Sequence, residues 1–324
     1  MWIGHNRIPI APLTYDQHGN LVERPPYSPL AYPPLGADPF SRDIFVVLLI
    51  GAKFTLGFSL LIAFFRVIIG SLIGVFLKVY LPKLGKYLLM PFENLNYFPI
   101  ALFAYLFLKW ILLDDGVNLE GKFTYDFWTR TWVDVAVLTI LALPAVTQTV
   151  FNETGNIVGK EFIVCSKTLG GNRRHLLWTH IRPFLSPQLV LIYIREVIQV
   201  LLLLAHLGIF KIVAGGSRIE ASFIENLPFT DTNDWASLFG SWFQLIWSGY
   251  YWLPFIPLLA VVTAILAMKG ILLSMQQVDQ NIEVNDVISK KTKRRHEEKA
   301  SIAERSKPTA HSFEPVSFNA THHH

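Results

Sequence analysis

The sequence predicts an all-α integral membrane protein with about five transmembrane helices, N-terminus outside and C-terminus inside. Three observations predict it. Hydrophobic residues make up 52% of the chain, and the mean hydropathy is +0.38, too high for an ordinary soluble domain of this size. Several apolar runs reach the roughly 18 residues at which a helix becomes a candidate to cross a bilayer. Lysine and arginine crowd into alternate short loops between those runs, which is how membrane proteins encode orientation.

Residues 1–43 hold eight of the chain's nineteen prolines. Pro25, Pro26, Pro29, Pro33, Pro34 and Pro39 oppose regular structure. They predict an extended extracytoplasmic arm lying over a protein surface, with disorder the competing reading for such a composition. Within it, Asp38, Arg42 and Asp43 form a charged cluster suited to local salt bridges that brace the arm.

The transmembrane body is expected over 44–275. A first span covers about 54–77, where Gly57, Gly70, Ser71 and Gly74 allow close helix approach. Arg66 lies inside it, and an arginine within a span is a functional hypothesis by default, with pairing to a neighbouring helix the plainer alternative. A second span covers about 89–113, bent or unwound by Pro91 and Pro99. A third covers about 131–151. A fourth covers about 187–210, with Ser186 as its cap and Pro187 in its first turn. A polar loop, 211–251, carries Trp235, Trp242 and Trp247. The last span covers about 252–274. The tail, 276–324, is charged, contains KKTKRR at 290–295, and is expected to be cytoplasmic and flexible; His322–His324 look like the remnant of a purification tag.

Orientation follows from the loops. Segments 78–87 and 152–186 hold eight basic residues against two acids, while 1–43, 114–130 and 211–251 hold seven against twelve. The basic side is the cytoplasm. Segment 152–186 is therefore cytoplasmic. Its centre, Glu161–Pro183, reads as two short helices, 161–169 and 173–182. Gly170 and Gly171 break them, Asn172 caps the second and Pro183 ends it. Such a loop between two spans is a candidate docking surface for a soluble partner.

Chemistry of other kinds has no motif here. Gly155–Lys160 is the nearest approach to a nucleotide-binding loop, but it is one residue short and Glu161 stands where a hydroxyl residue is needed. The metalloprotease and nucleophile-elbow signatures are missing. Cys165 is the sole cysteine, so no cysteine zinc site or internal disulfide can form. His175 and His180 read as surface groups rather than metal ligands. Asn152-Glu153-Thr154 is a glycosylation sequon on the wrong side of the membrane. No catalytic residue, metal site or bound cofactor is expected, so energy must come from an ion gradient or a partner.

At Glu161–Pro183 the chain resembles the cytoplasmic EAA loop of ATP-binding-cassette importer permeases. Gly170 stands at the loop glycine and Ile181-Arg182-Pro183 at the closing Ile-x-Pro. Phe162, Leu169, His180 and Pro183 match the dipeptide/oligopeptide/nickel subfamily. Leu35-Gly36-Ala37-Asp38-Pro39-Phe40-Ser41-Arg42-Asp43-Ile44-Phe45, with Gly51-Ala52-Lys53 following, resembles the signature of C-type subunits there; Leu207-Gly208 is a weaker third match. The resemblance covers about 33–279. It departs from the family at Val164-Cys165-Ser166, where the Glu-Ala-Ala triplet is usual, and at Leu201 and Leu202, where an acid is common. The family's first span has no counterpart, and five spans with an outside N-terminus is what its removal gives.

The resemblance implies a non-catalytic permease subunit of the cell membrane that imports oligopeptides or a similar small solute. It implies a second, B-type permease subunit, two ATPase subunits that bind ATP and magnesium, an extracellular solute-binding protein and membrane lipid as partners, and no nucleic acid. ATPase coupling would fall to Glu161, Phe162, Cys165, Leu169, Gly170, Gly171 and Pro183. Asn94, Asn96, Tyr97 and Gln199 are the candidate lining of the pathway, and Arg66, Arg195 and Glu196 the candidate buried ionic groups. An ion-gradient-driven carrier, or a non-transporting membrane scaffold, is the alternative; Arg66, Arg195 and Glu196 fit the first of these.

Overall fold

The computed structural model describes residues 8–16, 18, 21–95, 99–114, 125–170, 172–224 and 226–305. The chain divides into two compact units, Met1–Leu272 and Leu273–His324. It is mostly helical, and four helices are long and apolar enough to cross a membrane: Ile44–Tyr80, Phe127–Val158, Arg173–Ile209 and Trp252–Val278.

The chain begins with a small hairpin, β1 (Thr14–Tyr15) and β2 (Leu21–Glu23). Helix α1 (Ile44–Tyr80) starts where the Asp43 carboxylate accepts the Val46 N–H at 3.2 Å, satisfying one of the donors a helix start leaves open. Its buried stripe, including Ile62, Ala63 and Arg66, faces α4 (Phe127–Val158) and α7 (Arg182–Ile209). Gly70 and Gly74 meet α4 so closely that added methyl groups would strike Val146 and the Thr147 carbonyl, whereas Gly57 faces open space. The main core gathers Ile62, Leu108, Leu138, Val197, Leu201 and Leu204 from four helices.

The second expected span is broken. Helix α2 (Pro82–Leu95) contains Pro91, and α3 (Ile100–Lys109) begins after Pro99 and widens into a π-helical turn, Trp110–Asp114. Proline disfavours helix in the residue before it and lacks the N–H that would continue the ladder, so 89–113 is not one helix.

The fourth span starts earlier than its prolines suggest. After α5 (Glu161–Thr168), a short α6 (Arg173–His175) passes through a π-helical stretch, Leu176–Ile181, straight into α7. Pro183 does not end a helix, and Ser186 is not a cap. The π stretch shifts bonding at this point, with Arg182 N–H reaching Leu177 O, five residues back. Pro187 cannot donate to Pro183 O, but the Ser186 hydroxyl does, at 3.4 Å. Local bonds of this kind let a helix run through proline.

The stretch 211–251 is not a polar loop. It folds into a hairpin of β3 (Arg218–Ala221) and β4 (Asn226–Phe229), then α8 (Trp235–Trp242) and a 3₁₀ turn, Phe243–Trp247. Asp234 caps α8: Oδ2 accepts the Ser237 N–H at 3.0 Å and Oδ1 the Thr232 hydroxyl at 2.7 Å. The Trp235 N–H goes to Thr55 Oγ1 at 2.8 Å. Trp242 is 0% exposed, in a second core with Ile44, Val47 and Leu253, while Trp247 is exposed. α8 crosses α7 at Gly208 and Gly240; a Cβ on Gly240 would lie 1.8 Å from Gly208 O.

The arm packs onto this end. Arg42 Nη2 lies 2.6 Å from Asp38 Oδ2, and Arg42 Nη1 donates to Asn233 Oδ1 at 2.7 Å. The salt bridge is local, within the arm, and Asn233 ties it to the segment before α8.

The final helix, α9, is Trp252–Arg305. In the second unit the chain is helical to Arg305 rather than irregular, since 276–305 contains no glycine or proline and is rich in helix-favouring Glu, Lys, Arg and Gln.

Candidate functional site

Two features qualify as sites: the loop between α4 and α7, and a polar cavity midway along the bundle.

The loop leaves α4 at Gly159, whose N–H bonds back to Gly155 O. Lys160 N–H bonds Ile157 O, and α5 follows at once, with Glu161 in its first turn, where a helix dipole favours negative charge. One face of α5 is anchored. Ile163 packs with Ile157, Leu176, Ile181 and Leu185 in a core of its own. The Phe162 ring lies 5.2 Å from that of Phe184, and Arg173 Nη1 donates to Tyr80 O at 3.2 Å, tying the loop to the end of α1.

The other face is open. Phe162 and Val164 are partly exposed, Cys165 is exposed, and Leu169 is 89% exposed. Gly170 has φ +88°, a conformation that side chains with a Cβ resist, and nothing lies within 4 Å of where a Cβ would sit. Asn172 occupies the cap position of α6 without a side-chain bond. Of the residues read as coupling groups, Glu161, Phe162, Cys165, Leu169 and Gly170 thus share one short segment. Pro183 lies in the first turn of α7, and Gly171 falls outside the described residues.

The cavity measures about 490 Å³ and is lined from α4 by Gln148, Thr149 and Asn152, and from α7 by Arg195, Glu196 and Gln199. Ile100 closes one side. Beside it, Arg66 is 1% exposed. Its guanidinium donates to Leu138 O at 2.7 and 3.1 Å and to Glu196 Oε2 at 3.3 Å. Arg66 and Glu196 are therefore brought together, while Arg195, outside that pair, lines the cavity along with Gln199. Asn94 belongs to α2. Asn96 and Tyr97 fall outside the described residues.

Sequence reasoning missed Gln148, Thr149 and Asn152 as cavity residues. Their signal was their spacing, one face of one helical turn in a long apolar helix. It also missed Asp134, buried within α4; an acid inside an apolar run is the same signal that singled out Arg66. Outside the long apolar helices, burial pushes the Asp234 carboxyl above the usual range, and hydrogen bonds from Thr232 and Ser237 pull it back in part. Among the described residues no three His, Cys, Asp or Glu side chains are grouped so as to hold a metal ion.

Compared with protein-family models and with curated proteins, the chain matches none.

Proposed function

We propose that this chain is the transmembrane permease subunit of an ATP-driven importer, forming half of a solute pathway and receiving work from separate ATPase subunits. The observation that carries this is the loop between α4 and α7. A helix held by its own small core presents Phe162, Val164 and Leu169 outward, and Gly170 turns the chain directly behind them. An apolar face fixed to two apolar helices at once acts as a lever. A partner that moves it moves both, a rigid-body transition of the interface type. With no nucleotide motif in this chain, the differential contact belongs to the ATPase.

In this reading the broken α2–α3 segment counts as a fifth span, the arm lies outside, and the loop and tail lie in the cytoplasm. The second permease subunit, the solute-binding protein and a small solute such as an oligopeptide belong to the same proposal. The residues assigned to coupling are Glu161, Phe162, Cys165, Leu169, Gly170, Gly171 and Pro183.

Cys165 provides the test of orientation, as the sole and exposed thiol. A membrane-impermeant maleimide labels it in inverted vesicles and not in intact cells; labelling from outside would overturn the topology. Co-purification in mild detergent tests the class. Two ATPases and a second permease are expected, and a chain that exchanges solute without any ATPase would contradict the proposal.

A further inference from the structure

The geometry points to Arg195 as the charge-recognising centre of a solute subsite between α4 and α7. This subsite takes a single carboxylate joined to neutral hydrogen-bonding groups. It rests on the importer reading only for the direction in which solute moves.

The first argument is charge balance. Two guanidiniums, Arg66 and Arg195, share this level of the bundle with one carboxylate, Glu196. Glu196 is committed to Arg66 at 3.3 Å, and both side chains are buried. Arg195 is exposed and adds only a weaker attraction to Glu196, behind that of Arg66. One positive charge is left over, and it faces the cavity.

The second is depth. Arg195 stands well inside the helical run Arg173–Ile209. At 1.5 Å per residue it lies about 20 Å from the nearer end, at Ile209. A charge in the middle of an apolar helix is costly and is tolerated where it faces water or a partner. The cavity that Arg195 lines is the route by which an anion can meet it.

The third is the lining. Gln148, Asn152 and Gln199 supply amides, each both donor and acceptor, and Thr149 adds a hydroxyl. These match neutral polar groups rather than further charge. The Glu196 carboxylate beside Arg195 disfavours a second negative charge. The cavity, about 490 Å³, is of the size that holds a small organic molecule. A monoanion with amide-like groups behind its carboxylate satisfies all three.

Full-length protein in lipid nanodiscs, dialysed to equilibrium against radiolabelled N-acetyl-alanyl-alanine, its C-terminal methylamide or inorganic phosphate, tests this. The acid is expected to bind saturably and at least about tenfold more tightly than the methylamide, as a lost charge-assisted hydrogen bond implies. Arg195→Gln should abolish that preference without shifting the melting temperature, and Arg195→Lys should retain part of it. Gln199→Ala should weaken acid and methylamide alike. No saturable binding of the acid, equal binding of acid and methylamide, a preference that survives Arg195→Gln, or phosphate binding as tight as the acid would each overturn the assignment. The assay contains no ATPase, so its failure leaves the coupling proposal standing, and failed co-purification leaves this subsite standing.

Discussion

The two ends of α1 sit in opposite environments. At its start, the arm, α8 and the head of α9 close over it with almost no slack. The backbones of Gly208 and Gly240 touch, Trp242 is sealed in a core, and the charges of Asp38 and Arg42 are matched and covered. At its far end, the 159–183 loop keeps a small core of five buried residues and leaves Leu169 and part of Phe162 in the open. Gly170 takes a left-handed turn with nothing near it. Within one chain, then, the arm end buries a tryptophan and a charge pair, although Leu30 and Trp247 stay exposed there, while the loop end buries only a small apolar core. Polar groups at the arm end find partners inside the chain; at the loop end Leu169 and part of Phe162 stay exposed.

Substitutions break or sharpen that contrast. The largest loss is expected from Gly240→Val, because its side chain meets the Gly208 backbone, which cannot step aside without parting α7 from α8. Overpacking against backbone costs about 3 kcal/mol, the top of the usual range, read as a lowered melting temperature in detergent; an unchanged melting temperature would mean that the arm end has slack. Arg42→Met follows, leaving Asp38 buried beside a missing charge, with a loss of about 3 kcal/mol by the same measurement.

Asp234→Asn is smaller and sharper. A carboxyl raised above its ordinary value binds its proton more tightly in the folded chain. Its contribution is full below the unfolded value and is lost as pH rises through the folded one. The asparagine variant keeps the cap and should flatten the decline of stability with rising pH. A decline as steep as in the parent would place its origin elsewhere. Smallest of all are the loop variants. Gly170→Asp should cost about 1 kcal/mol for its left-handed backbone, and Leu169→Asp less than about 0.5 kcal/mol, as for other exposed positions.

Long apolar runs made α1, α4 and the apolar part of α9 legible in the sequence, because a stretch that cannot live in water leaves few alternatives. The start of α7 was not legible. Pro183 and Pro187 read locally as breaks, and only a π-helical turn and the Ser186 hydroxyl carry the helix through them. α8 was hidden for a different reason. Thr232, Asn233 and Asp234 look like loop residues until Arg42 satisfies Asn233, and Thr232 and Ser237 satisfy Asp234. At the cavity, the sequence places Arg195 and Glu196 side by side but not their rotation about α7. Which of them meets Arg66, and which faces the cavity, depends on how three helices pack. In the loop the glycine and the exposed leucine could be read directly, since neither depends on distant contacts.

The central claim is that the loop end is finished by an ATPase. It is tested most directly by Leu169→Asp in the assembled transporter, with melting temperature, co-purified ATPase and solute uptake measured on one preparation. The account predicts an unchanged melting temperature with ATPase and uptake both lost. Full uptake with the ATPase still bound would contradict it.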